Sequence, residues 1–422
     1  MVVGCEIWGE QMSRDEQAKR GGKGTARPSS KTSYVSASLR QFLKSYERHC
    51  VESESCISPS VRRDVLRCIE KEKNMTKITL TFPENTPGTH VSPSLWPLLQ
   101  AVRDTRYTHG RELTVWDLSP RQQDVADLCL LLEKRGRTEY PFRQLGLLDC
   151  RLDVWSLGRL GRAVALSSLT VLCLDYTPVG EEGVRALLCG LEGDNHVLSL
   201  SLCYCSLGPS SGTLLGALVS RSAVSLGYLT SLPRDLYVNG NDLQCGGATE
   251  LVDVLVKHAE RLALEEPSTL AADPTGITNS KPLRSSTASS KGKKRKRKGK
   301  KRKSVTTPAE IGPWLEKLHL SDNAIDTFGL GRTVTAMSFT QTICLLIKLS
   351  THLVELDLSE NHIGDENGKL LLEALQDRRA GEKTVLKVKV TTQMSADTFA
   401  AILKNSKKLK SVKKKKKKKA QK

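Results

Sequence analysis

Aromatic residues are scarce in this chain, at 5% of 422 positions, and a hydrophobic fraction of 38% is low for one compact core of that length. Such a composition suits an elongated fold with much surface, or an ordered body diluted by solvated segments. No stretch approaches the ~18 uninterrupted apolar residues that a membrane-spanning helix requires. The N-terminus has no apolar secretory core, and Glu6, Glu10, Asp15 and Glu16 speak against a mitochondrial presequence. The twelve cysteines include no Cys-x-x-Cys pair. Scattered among apolar neighbours, they read as reduced core thiols of a soluble intracellular protein. Cys203 and Cys205 form a lone Cys-x-Cys with no second pair at zinc-ligand spacing, so neither a metal nor a cofactor is expected. Catalytic signatures are missing as well. The eight histidines include no His-Glu-x-x-His, and there is no nucleophile-elbow serine and no kinase set. Gly21 to Thr25 superficially suggests a phosphate loop, but Gly24 stands where Ser or Thr must follow Lys23. The chain is not expected to be an enzyme.

Charge is plentiful but unevenly spread. Of the formal net charge of +19, Lys291 to Lys303 supplies 11 basic residues with no acid, and Lys404 to Lys422 supplies 12 more. Without these two segments the body is mildly acidic, so its electrostatics and theirs are separate questions. The first block holds Lys293, Lys294, Arg295, Lys296, Arg297, Lys298, Lys300, Lys301, Arg302 and Lys303; the second includes Lys413, Lys414, Lys415 and Lys416. Such runs bind polyanions, serve as a nuclear or nucleolar address, or are simply solvated. No aromatics interleave with the lysines, so any RNA contact would be to phosphate and not to stacked bases.

The organisation follows from composition and periodicity. Residues 1 to 35 read as a flexible leader rich in Lys, Arg, Gly and Ser. Residues 36 to 74 read as a helical cap: Leu39, Phe42, Leu43 and Tyr46 share one helix face, and Val61, Val65, Cys68 and Ile69 share another after Pro59. Residues 75 to 264 and 313 to 403 carry a repeat, separated by a Pro/Ser/Thr-rich and polybasic insertion at 265 to 312, and residues 404 to 422 form a polylysine tail. The repeat starts faintly with Ile78-x-Leu80 and Leu113-x-Val115. It becomes countable where Phe142, Leu145, Leu147, Cys150 and Leu152 occupy positions 1, 4, 6, 9 and 11 of a unit. Leu169, Leu172, Leu174, Thr177 and Val179 restate that frame, as do Val197, Leu200, Leu202, Cys205 and Leu207. Later units keep Leu236, Val238 and Asn241; Leu318, Leu320 and Asn323; Leu356, Leu358 and Asn361; Val385, Val388 and Val390 close the series.

Positions 4 and 6 point into a core because side chains alternate along a strand, and position 9 must satisfy backbone groups where the chain turns away. This Leu-x-Leu frame, with Cys or Asn at position 9 and units near 28 residues, resembles the ribonuclease-inhibitor-like leucine-rich-repeat family. The resemblance implies an α/β solenoid, a horseshoe with parallel inner strands and outer helices. Helical glycines of that family are present as Gly183, Gly247 and Gly368 only. Tyr46, Cys50, Pro59 and Val65-Leu66 also resemble the helix pair preceding the repeats in several centrosomal and ciliary leucine-rich-repeat proteins, which implies a cytoskeletal setting.

Strand positions 3, 5, 7 and 8 flank the buried leucines and are expected to line the inner face. They hold Asp149, Asp175, Tyr176, Tyr204, Asp235, Tyr237, His319, Asp322, Glu355, Asp357 and Glu360. Arg143, Arg234 and Lys317 lie nearby but are outnumbered, so an acidic face with tyrosine anchors is expected, suited to a basic protein segment. The leading expectation is a non-enzymatic scaffold that binds a protein partner on this face and is tethered by its polybasic segments to an acidic polymer such as RNA or tubulin tails. An RNA- or ribosome-associated nuclear factor and a GTPase activator of leucine-rich-repeat type are the alternatives.

Overall fold

The computed structural model describes residues 30–82, 92–134, 136, 138–191, 196–220, 233–265, 315–326 and 334–406. The first polybasic block, the second beyond Ser406 and the greater part of the leader and insertion lie outside them, as does the segment 221–232. The chain opens on two helices, α1 (Ser30–Glu52) and α2 (Pro59–Glu70), and then alternates strand with helix. The strands and helices are β1 (Lys77–Thr81), α3 (Leu95–Asp104), β2 (Glu112–Trp116), α4 (Gln122–Leu132), β3 (Gln144–Leu148), α5 (Val154–Ala165), β4 (Val171–Cys173), α6 (Gly180–Gly190) and β5 (Ser199–Ser201). They continue with α7 (Ser210–Ser220), β6 (Asp235–Tyr237), α8 (Gln244–Glu265), β7 (Lys317–His319), α9 (Ala336–Leu349), β8 (Glu355–Leu358), α10 (Asp365–Ala380) and β9 (Lys387–Val390). A last helical stretch covers 396–406. Helix α1 starts at Ser30 and not at Ser36: after Pro28 no proline or glycine interrupts the run into the cap.

The nine strands form one parallel sheet in chain order, β1 to β9. The counted frame sets the register. Leu145 pairs with Leu172, Leu172 with Leu200, Leu200 with Leu236, Leu236 with Leu318, and Leu318 with Leu356. Each of these leucines is fully buried. In the closing unit Leu386, one place beyond Val385, takes the buried position ahead of the strand, because Val385 is only half covered. The insertion does not shift the frame, since β6 and β7 are direct neighbours. Strands sit about 4.8 Å apart whereas packed helices need about 8 to 10 Å. A sheet with its helices on one face therefore curves, helices outside.

Two helix pairs approach more closely than their neighbours require. On α5 and α6, a Cβ added at Gly161 would lie 2.2 Å from the Leu187 carbonyl oxygen, and one at Gly190 only 2.7 Å from the Gly161 carbonyl carbon. On α7 and α8, a Cβ at Gly212 would lie 2.0 Å from the Gly247 carbonyl oxygen. These seams let backbone meet backbone. Arg378 of α10 is buried to 2% and donates to the carbonyls of Ile347, Ser350, Leu353 and Thr384 and to the Thr384 hydroxyl. Its guanidinium thereby satisfies the carboxyl end of α9, where backbone acceptors lack helical partners.

The cap closes the first edge of the sheet with hydroxyls. Ser60 donates to the Thr79 carbonyl at 2.7 Å and accepts from the Thr81 amide, and Ser58 donates to the Thr81 carbonyl. Position 9 does the equivalent work between repeats. Asn361 donates to the carbonyls of Leu320, Leu358 and Ser359 and accepts from the amides of Asn323 and Ile325. Asn241 does the same against Leu202, Val238, Cys205 and Leu207. Thr177 and Cys205 do it with fewer bonds: the Thr177 hydroxyl donates to Leu147, and the Cys205 thiol to Leu174. Asn361→Ala strands several of these groups at once and is expected to cost about 2 to 4 kcal/mol. Leu172→Ala and Leu356→Ala are expected to cost about 2 to 5 kcal/mol each through the cavities they leave. Urea unfolding of the three variants measures this, and midpoints equal to the parent's would contradict the repeat frame.

Candidate partner-binding face

The open face of the sheet divides into strands and a rim. On the strands of the second half the charges are paired in rows. One row runs Asp235, Lys317, Glu355, Lys387, and the next runs Tyr237, His319, Asp357, Lys389. Lys317 meets Asp235 at 2.8 Å, Lys387 meets Glu355 at 2.8 Å, and Lys389 meets Asp357 at 2.7 Å. His319 lies between Glu355 and Asp357, at 3.6 and 3.7 Å, with its ring edge-on to Tyr237. The adjacent His319 ring and then the Lys387 ammonium, which donates to it at 2.8 Å, hold the Glu355 carboxyl well below the usual carboxylate range. Burial works to raise the Asp357 carboxyl, but Lys389 and Ser359 outweigh it and hold the group low.

The inner strands of the second half are thus charge-balanced, which corrects the expectation of an acidic face there. Lys387 and Lys389 were missing from that expectation, and each supplies the cation that a strand carboxylate lacked. Asp235, Tyr237, His319 and Asp357 are buried in these rows. Asp175 is buried too: it accepts from the Ser201 hydroxyl at 2.6 Å and the Cys203 amide at 2.9 Å, and burial still raises its carboxyl above the ordinary value. These five side chains hold neighbouring strands together. Glu355 is half-buried in the same pairing.

The remaining candidates gather at position 8, just past the carboxyl ends of the strands. From β2 to β8 that position is occupied by Asp117, Asp149, Tyr176, Tyr204, Gly240, Asp322 and Glu360. Every one of them has a left-handed backbone, with φ between 48° and 67°: 56° at Asp117, 50° at Asp149, 63° at Tyr176, 56° at Tyr204, 66° at Gly240, 54° at Asp322 and 56° at Glu360. A ladder of amides fixes them. The position-8 amide donates to the position-7 carbonyl of the next repeat, from Asp117 to Leu148, Asp149 to Asp175, Tyr176 to Cys203, Tyr204 to Asn239, Gly240 to Ser321, and Asp322 to Ser359. Left-handed residues other than glycine are uncommon, and only Gly240 is the residue a turn of this kind favours.

The side chains so displayed form one strip. Tyr176 and Tyr204 stack with ring centroids 5.0 Å apart and planes 3° from parallel. Tyr204 also covers Gly240, where an added Cβ would lie 2.1 Å from its ring. It remains 38% exposed. Asp117, Asp149, Asp322 and Glu360 are exposed and form no ion pair among the described residues. Burial first, then the fields of Asp322 and its neighbours, raise the Tyr204 phenol above its ordinary value, which places ring and carboxylates in one electrostatic site. Asp117 was missed by sequence reasoning because its unit is the faintest of the frame.

Other candidates are accounted for structurally. The Cys203 and Cys205 thiols are buried, and burial pushes both upward, so neither is poised as a thiolate ligand or nucleophile. Among the described residues no group of three or more His, Cys, Asp or Glu is arranged around a metal position, and no helix is long and apolar enough to cross a membrane. The lysines and arginines of 293–303 and 413–416 lie outside the described residues.

A leucine-rich-repeat family model matches residues 349–372, which hold β8 and the start of α10. Ribonuclease inhibitor of the pig, Sus scrofa, is 30% identical over 268 residues, 62% of this chain and 55% of that protein. Ribonuclease inhibitor of the mouse, Mus musculus, is 26% identical over 298 residues, 69% of this chain and 62% of that protein. The chain thus spans somewhat more than half the length of the curated relatives it matches. The nine parallel strands in repeat register make the chain a leucine-rich-repeat solenoid, and its sequence is similar to that of the ribonuclease inhibitors.

Proposed function

We propose that the chain is a non-enzymatic scaffold that holds a protein partner along the position-8 rim of its sheet. The observation that carries this reading is the row formed by half-buried Tyr176, exposed Tyr204 and carboxylates without an ion pair among the described residues, all held in left-handed conformation, where glycine would be less strained. The relatives are by name inhibitors of a ribonuclease, that is, proteins acting on another protein. Aromatic side chains at a surface, ringed by groups that need a counter-charge, are the usual anchors of such contacts. The partner surface is cationic. The two polybasic segments tether the complex to an acidic polymer, a role supported by the 11 and 12 positive charges they hold without an acid.

Replacing Tyr204 with a photo-reactive aromatic, with Arg379 on the helical side as control, tests the face. Cross-linking to a protein from position 204 and not from 379, lost in Asp149→Asn/Asp322→Asn, is the expected outcome. Equal cross-linking from both positions would contradict the reading. Removing 291–303 and 404–422 should leave that cross-link intact while abolishing salt-sensitive retention on RNA or tubulin-tail peptides.

A further inference from the structure

The rim has a spacing as well as a composition. Along the position-8 row two carboxylates, Asp117 and Asp149, come first; the Tyr176–Tyr204 stack and Gly240 follow; two carboxylates, Asp322 and Glu360, end it. Neighbouring positions are one strand apart, which the 5.0 Å between the stacked rings also reflects. From Asp149 to Asp322 there are four such steps, about 19 Å at ~4.8 Å each. The amide ladder from Asp117 through Asp322 makes this spacing a property of the sheet and not of mobile loops. The strand lysines do not reach the row: Lys317, Lys387 and Lys389 are engaged with Asp235, Glu355 and Asp357. Both carboxylate pairs therefore await cations from elsewhere, with an aromatic platform between them.

We infer that the rim recognises an extended cationic segment of a second protein, one with two basic clusters about 19 Å apart that straddle the tyrosine stack. This rests on the function proposed above and adds the geometry of the ligand. An extended chain advances about 3.3 Å per residue, so the clusters fall roughly six residues apart. Between them an apolar side chain lies against the exposed edge of the Tyr204 ring, whose faces are taken by Tyr176 and Gly240. Two clusters on one rigid segment bind better than two separate ones only when the spacer matches the span.

Oligoproline rulers test the spacing directly. Peptides of the form Arg-Arg-(Pro)n-Arg-Arg, end-labelled, are titrated into the full chain by fluorescence anisotropy at about 0.05 M salt, where screening is modest. Polyproline rises about 3.1 Å per residue and the inner arginines lie one residue beyond the spacer's length, so affinity should peak near n of about five and fall roughly fivefold for much shorter or longer spacers. In Asp149→Asn/Asp322→Asn the peak should vanish, and in Tyr204→Ala it should weaken at every n. Affinity that is flat in n yet lost in the double variant would overturn the spacing while leaving the rim a cation-binding face. Affinity unchanged in the double variant would overturn both readings. A peak that emerges only when residues 291–303 and 404–422 are removed would hand the row to the chain's own basic segments and overturn its assignment to a second protein.

Discussion

Arg378→Ala is expected to lower stability by about 3 to 5 kcal/mol, the cost of removing one partner from a buried, fully bonded charged group. Among the described residues the guanidinium has no carboxylate partner. Its charge is met by carbonyls of Ile347, Ser350, Leu353 and Thr384, which converge from the end of α9, the turn after it and the approach to β9. Burial lowers its pKa to about 10, so it stays protonated at neutral pH and there is no acid-side loss to expect. Truncation strands those acceptors inside the protein. Arg378→Lys should recover little, since an ammonium cannot reach a fan of carbonyls spread around a planar fork. Because repeats unfold as coupled neighbours, hydrogen exchange should show the loss concentrated in α9, β8 and α10. A variant with parental urea midpoint and unchanged exchange there would refute this role.

Gly212→Ala should destabilise, although helix propensity alone predicts a gain of about 1 kcal/mol for alanine over glycine. The added methyl would lie 2.0 Å from the Gly247 oxygen and 2.5 Å from its carbonyl carbon. Backbone cannot yield as a flexible side chain does, so α7 and α8 must part, and overpacking of this kind costs about 1 to 3 kcal/mol or more. Gly212→Val should cost more again. Gly246→Ala is the control, because nothing lies within 4 Å of a Cβ there. Thermal unfolding should rank Gly246→Ala at or above the parent and Gly212→Ala clearly below it; the reverse order would show that the seam is loose.

The strands were legible because two buried leucines per unit, alternating with other residues, leave a frame that neither insertion nor weak repeats erase. Position 9 was legible for the same reason: Asn241, Asn323 and Asn361 bond the backbone of adjoining turns as their residue type requires. The rim conformation was not legible. Left-handed backbone is signalled strongly by glycine and only weakly by aspartate, and of the seven position-8 residues Gly240 alone gives the strong signal. Nor could the frame show which acids were already paired. Asp235 and Asp357 read like Asp149 and Asp322 in sequence, and they differ because a lysine stands beside each on the next strand. The seams of α5–α6 and α7–α8 depend on close backbone contacts that periodicity does not encode.

The alternating charge on the last four strands also constrains how this array could change in length. In the order Asp235, Lys317, Glu355, Lys387 each residue faces opposite charge on the next strand, and the two middle ones on both sides. Excising the single unit that carries β8 would set Lys317 abreast of Lys387 and His319 abreast of Lys389. Excising the unit of β7 would set Asp235 abreast of Glu355. Like charges directly opposite across a sheet are destabilising. Loss of two adjacent units together, by contrast, restores the alternation, joining Asp235 to Lys387. The charges on these strands therefore stay complementary when the units of β7 and β8 are lost together, and not when either is lost alone.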